Sequence, residues 1–139
     1  MLILDTDHLS EIERASSLGQ SLQTRLARSG GSIGTTIISV EEQSRGALAS
    51  LKRHREAENL IAPYGRLQRL VGDWSLYVIL PWNNEAVAVH EQLKAARVRI
   101  GTMDLRIASI VIANDATRLS RNLKDFTRVP NLRVENWLE

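Results

Sequence analysis

Short apolar or β-branched runs alternate with helix-periodic segments along the whole chain, and this alternation constrains the fold more than any other feature. "LILD" at the start, "SIGTTIIS" (32–39), "SLYVILPW" (75–82), "TRLS" (117–120) and "LRVENW" (132–137) read as strands. Between them lie amphipathic stretches. "HLSEIERA" is a short helix, with Asp7 as a candidate cap. "SLGQSLQTRLARSGG" places Leu18, Leu22 and Leu26 four apart and is closed by Gly30 and Gly31. "SVEEQSRGALASLKRHREAENLI" predicts one long helix, interrupted by Pro63 and Gly65 before "RLQRLVGDW" resumes. "NNEAVAVHEQLKAARVR" predicts a helix capped by Asn83 or Asn84, and "TMDLRIASIVIANDA" a helix apolar on most faces, hence buried. "NLKDF" reads as a turn or short helix. Strands separated by helices imply an α/β domain with a mainly parallel sheet between helices. No linker, repeat or low-complexity segment divides residues 1–139, which read as a single domain.

Bulk properties exclude several classes. There is no cysteine, so neither a disulfide framework nor a thiolate metal site is available. The N-terminus has no basic region before its short apolar run, and no stretch approaches the ~18 apolar residues of a membrane span. The expectation is a soluble, cytoplasmic protein that does not engage a membrane. Net charge is only +2, from 18 basic and 16 acidic residues. The basic residues cluster, however, in "LKRHRE", "GRLQR", "ARVR" and "RLSRNLK", the last holding Arg118, Arg121 and Lys124. Such clusters fit a phosphate backbone, although any single one is more simply a solvated helix face.

The acids carry the chemistry. In open parallel sheets, ligands bind beyond the carboxyl ends of the strands. Asp5 ends the first strand, Glu42 follows the second, Asp104 opens the buried helix, and Asn122 and Asp125 follow "RLS". Each has a bland reading. Ser39 and Glu42 have the form of a capping box, Asp104 suits a helix first turn, and Asp125 suits an exposed loop. Asp5 is harder to set aside, because an unpaired carboxylate on a buried strand is costly. Converging carboxylates repel one another. A divalent cation with a preference for oxygen, Mg²⁺ or Mn²⁺, resolves both problems and suits phosphodiester chemistry.

Four segments together resemble a PIN domain, specifically the VapC-type toxin ribonucleases: "LILDTDHLSE", "TTIISVEEQSRGAL", "IGTMDLRIASIVIAND" and "TRLSRNLKDFTRVPNLRVENW". They cover nearly half the residues, in the family's order and spacing. The resemblance implies an α/β/α sandwich around a parallel sheet of four or five strands. It implies Mg²⁺- or Mn²⁺-dependent endonucleolytic cleavage of single-stranded or looped RNA, a homodimer, and a cognate antitoxin protein. Carried over by position, Asp5, Glu42 and Asp104 match the three metal-binding acids, with Glu42 four residues before Gly46; Glu41 misses that spacing. Asn122 stands at a fourth catalytic position where many relatives have aspartate. Asp7 and Ser120 match residues that support the acids, and Asp125, three residues on, partly offsets the charge missing at Asn122 if the turn brings it inward. Arg121 and Lys124 are the first candidates to hold RNA at the rim, ahead of Arg106 and Arg45.

Competing readings remain. "ILDTDH" is similar to the DxD strand end of haloacid-dehalogenase-type phosphatases, but His8-Leu9 replaces their small pair and Glu42 has no role there. A weak or inactive PIN-like domain that binds RNA or a partner protein is the alternative that dispenses with catalysis. Trp74, Trp82 and Trp137 are expected in the core or a dimer interface rather than stacked on bases, and His8, His54 and His90 lack metal-ligand spacing.

Overall fold

The computed structural model describes residues 1–139. Five strands, β1 (Leu2–Leu4), β2 (Ile33–Thr36), β3 (Val78–Leu80), β4 (Thr117–Leu119) and β5 (Arg133–Glu135), form one sheet in the order β3-β2-β1-β4-β5. All four pairings are parallel. Seven α-helices connect them: α1 (Thr6–Glu13), α2 (Ser17–Ser29), α3 (Ile37–Lys52), α4 (Ile61–Trp74), α5 (Asn84–Ala95), α6 (Thr102–Ala113) and α7 (Leu123–Phe126). A 3₁₀ turn at Ala57–Leu60 leads into α4.

In the central strand β1, successive side chains face opposite sides of the sheet, and both sides are covered. On one, Ile3 packs with Ile38, Leu80, Ala86, Ile107, Ile110 and Val111 from α3, β3, α5 and α6. On the other, Leu4 packs with Leu9, Leu22, Leu26, Leu119 and Leu138 from α1, α2, β4 and the C-terminal segment. Helices on both faces give the α/β/α sandwich the sequence predicts, here with five strands.

Local chemistry moves several boundaries. Thr36, not Ser39, caps α3: its hydroxyl accepts from the Ser39 amide at 3.1 Å, so Ile37 and Ile38 leave the strand for the first helical turn. Ser39 and Glu42 therefore form no capping box. Asp7 caps nothing, because α1 already begins at Thr6 with Asp5 in the cap position. The long helix breaks at Arg53–Glu56 instead of at Pro63. Pro63 lies in the first turn of α4, where a missing N–H leaves no bond unmade. Asn83 caps α5 through the Ala86 amide at 3.0 Å.

The α1–α2 pair depends on Gly19. A Cβ there would stand 2.1 Å from the Glu11 carbonyl oxygen, a backbone atom that cannot swing away. Gly19→Ala is expected to destabilise the protein by about 1–3 kcal/mol, the usual cost of overpacking, as read from urea unfolding.

Candidate active site

The direction of chain crossovers reverses at β1, which pairs with β2 on one side and β4 on the other. The crevice beyond the carboxyl ends of β1 and β4 is thus the topological switch point, where open parallel sheets bind ligands. Period-two alternation puts Asp5 on the face of Ile3, toward α6. Arg118 pairs in register with Ile3 and shares that face. Asp104, in the first turn of α6, arrives from the helix that covers it.

These three side chains meet. One guanidinium nitrogen of Arg118, Nη2, donates to Asp5 Oδ2 at 2.8 Å and to Asp104 Oδ1 at 3.2 Å. Its Nη1 reaches the Asp104 carbonyl at 3.5 Å, and the guanidinium lies over the Phe126 ring, 3.6 Å from its centre. Arg118 has no solvent exposure at all. In sequence Arg118 belongs to a basic cluster suited to a phosphate backbone or a solvated face; buried among the acids, it serves neither. The one signal in the sequence is a basic residue inside a strand; its register with Ile3 belongs to the assembled sheet.

Glu42 is the third acid of this neighbourhood. It extends from the second turn of α3 and accepts a bond from the Thr6 hydroxyl at 3.4 Å. Burial pushes its pKa up, and the charges of Asp5 and Asp104 push it further, against the pull of Arg118. Its proton is therefore held more tightly in the folded state than in the unfolded chain. Ionised Glu42 costs stability above its folded pKa, and the cost vanishes below the ordinary value of 4.5. Glu42→Gln is accordingly expected to raise Tm at pH 7 in chelator, with the gain gone below pH 4.5. Thermal scans across pH test this.

The remaining predicted residues stand around this trio without joining it. Asp7 accepts from His8 Nδ1 at 2.7 Å and from the Arg121 amide at 2.9 Å. Burial alone would push the Asp7 carboxyl up, yet these partners hold it below its usual value. The Trp137 amide donates to His8 Nε2 at 3.3 Å, which leaves the ring proton on Nδ1, facing Asp7. His8 thus ties α1 to the C-terminal segment. Ser120 is buried, and its hydroxyl accepts the Asn122 amide at 3.1 Å instead of bonding an acid. Asn122 caps α7, and its side-chain amide donates to Asp125 at 2.8 Å, so these two residues serve each other. Arg121 is bound to Glu11 at 3.0 Å and half exposed, while Lys124 is exposed on α7.

Arg106 sits near Met103, and Arg45 pairs with Glu41 on the surface of α3. None of the tryptophans is fully buried. Trp74 donates to Gln43 at 2.8 Å, Trp137 lies beneath Arg25, and Trp82 meets His90 edge-on.

No three acids or histidines stand in a ligating arrangement around one point. The donor set nevertheless suits a hard divalent cation. Two carboxylates bond a single guanidinium, and Glu42 is pushed up first by burial and then by the charges of the same two acids.

Two solved complexes share this architecture over almost its whole length. VapBC2 from Rickettsia felis, bound to a DNA fragment from its promoter, matches with a TM-score of 0.73 and 23% identity, over 98% of each chain. DNA-bound VapBC from Salmonella typhimurium matches with a TM-score of 0.78 and 23% identity, over 98% of this chain and 97% of that one. The chain has a VapC-type PIN fold. Curated relatives of this PIN fold are matched in part. Ribonuclease VapC2 of Rickettsia felis is 48% identical over 46 residues, 33% of this chain and 34% of that protein. The tRNA(fMet)-specific endonuclease VapC of Salmonella typhimurium is 29% identical over 85 residues, 58% of this chain and 64% of that protein. The chain thus spans only about one to two thirds of these relatives' length. No family model matches the chain.

Proposed function

We propose that residues 1–139 form one PIN domain that is a divalent-cation-dependent endoribonuclease, the toxin of a VapBC-type pair, acting in the cytoplasm on single-stranded or looped RNA. The observation that carries this reading is the meeting of Asp5 and Asp104 on one guanidinium, with Glu42 in their field, at the switch point of the sheet. The named relatives, a ribonuclease and a tRNA endonuclease, support the same class of chemistry.

Asp5, Glu42 and Asp104 would hold Mg²⁺ or Mn²⁺, directly or through water. Such a cation, when bound, neutralises phosphate charge and lowers the pKa of water. The chain's own residues set the rest. Asp5 is fixed by the end of β1 and by Arg118, so its carboxylate is pre-oriented. Asn122, uncharged, adds no repulsion beside the acids; its side chain is held by Asp125. Arg121 and Lys124 stand at the rim on the side of α7, positioned to hold an RNA backbone.

Solved VapBC complexes support an antitoxin partner. The exposed apolar side chains Ile61, Tyr64 and Val71 of α4, with Leu76 just beyond it, offer a surface for protein association, either with an antitoxin or between two copies in a homodimer. No helix of the protein is long and apolar enough to cross a membrane.

The test is RNA incubation with Mg²⁺, Mn²⁺ or chelator, followed by mapping of the new ends. The expected products carry 5′-phosphate and 3′-hydroxyl ends, because water attacks, and they are absent in chelator. Cutting that persists in chelator, or that leaves 2′,3′-cyclic phosphates, would overturn the reading. A weak nuclease that chiefly binds RNA or a partner is the second reading, favoured by the guanidinium among the acids. It predicts RNA retention on a filter with turnover near background.

A further inference from the structure

Arg118 is unusual for a residue at the heart of an acid cluster. Its side chain is wholly buried, whereas the side chain of Asp104 is 39% exposed and that of Asp5 12%. A dehydrated guanidinium needs its charge met on the spot, and the acids that meet it are the two assigned to a cation. The set of bonds is incomplete. Arg118 Nε is buried with no hydrogen-bond partner, and Nη1 reaches only a carbonyl at 3.5 Å. The ring of Phe126 supports the guanidinium from one side and supplies no acceptor there.

We infer that Arg118 is a resident counter-ion of the acid site, bridging Asp5 and Asp104, and has to release at least one of them when a divalent cation binds. This rests on the cation reading proposed above. A carboxylate oxygen that accepts a bond at 2.8 or 3.2 Å has its negative charge partly satisfied. A cation must compete for that charge while a positive group stands beside it. The Asp104 arm yields first, because it is the longer and the more exposed of the two. The bridge thus holds the acids together before any cation arrives, and weakens the affinity with which one is taken up. Arg118 is a positioning residue in this scheme; it touches the acids and not the substrate.

The experiment is calorimetric titration of Mn²⁺ into the full chain, in the parent, Arg118→Met and Arg118→Lys. Arg118→Met is expected to bind Mn²⁺ about 10- to 100-fold more tightly, the span over which partners of metal-ligating groups act. Its Tm should fall in chelator and recover with Mn²⁺, while Arg118→Lys stays close to the parent in both. A crystal of the parent grown with Mn²⁺ should show the guanidinium withdrawn from Asp104. That crystal, with Arg118→Lys, keeps the test decisive even where Arg118→Met does not fold. Equal affinity in parent and Arg118→Met, or a Mn²⁺-bound crystal with both arms intact, overturns the inference and leaves the cation reading standing. Absence of Mn²⁺ from every variant overturns both together.

Discussion

Asp104→Asn is expected to lower RNA cleavage at least about 10³-fold, because several kcal/mol of charge stabilisation go with one carboxylate at a hard-cation site. Asparagine is the informative choice. It keeps the shape of the side chain, and its carbonyl oxygen can still accept from Arg118 Nη2. The first turn of α6 loses one favourable charge, worth a few tenths of a kcal/mol. Folding should therefore survive nearly unchanged, and circular dichroism should overlay the parent. The measurement is single-turnover cleavage of a defined RNA at saturating enzyme. Activity within tenfold of the parent would remove Asp104 from the site. Asp5→Asn is expected to match it in activity.

The second large effect concerns stability. Asp5→Ala removes the closer partner of a wholly buried guanidinium and leaves the longer Asp104 contact to meet its charge. Breaking a buried pair from one side costs about 3–5 kcal/mol, since the surviving charge stays dehydrated. A drop in Tm of roughly 10 °C or more should follow. The double variant Asp5→Ala, Arg118→Met should be more stable than Asp5→Ala alone, because no orphan charge remains. This non-additivity is the diagnostic result. If the two single effects simply add, Arg118 and Asp5 are not coupled as the 2.8 Å contact requires.

The sheet was readable from the chain because its signals are local. Leu2–Leu4 and Val78–Leu80 are short apolar runs between helical segments, and no tertiary knowledge is needed to see them. Leu22 and Leu26 announced the buried side of α2, and Gly30 its end, with the left-handed backbone at φ 67° that glycine favours. Boundaries failed where two local signals competed. Ile37 and Ile38 carry β-branched chemistry, but the Thr36 hydroxyl caps a helix in front of them. Pro63 reads as a breaker only when its place within the helix is unknown. Within the candidate site, Asp5 and Asp104 were legible from strand end and helix start. Arg118 was not, because a run of basic residues looks the same in sequence whether one member points inward or all point out. Its orientation is decided by pairing with Ile3, a partner 115 positions away in a register only the assembled sheet possesses. For Ser120 and Asn122 the family resemblance implies a supporting and a catalytic role; the hydrogen bonds they make in the structure run to each other and to the α7 cap.

An all-parallel sheet centred on its first strand also orders events during synthesis. β1 leaves the ribosome first, yet one of its two neighbours, β4, ends at Leu119. Until that segment emerges, the middle of the sheet has an open edge, and Asp5 lacks its guanidinium partner Arg118. A nascent chain is thus without a finished acid cluster until β4 docks beside β1.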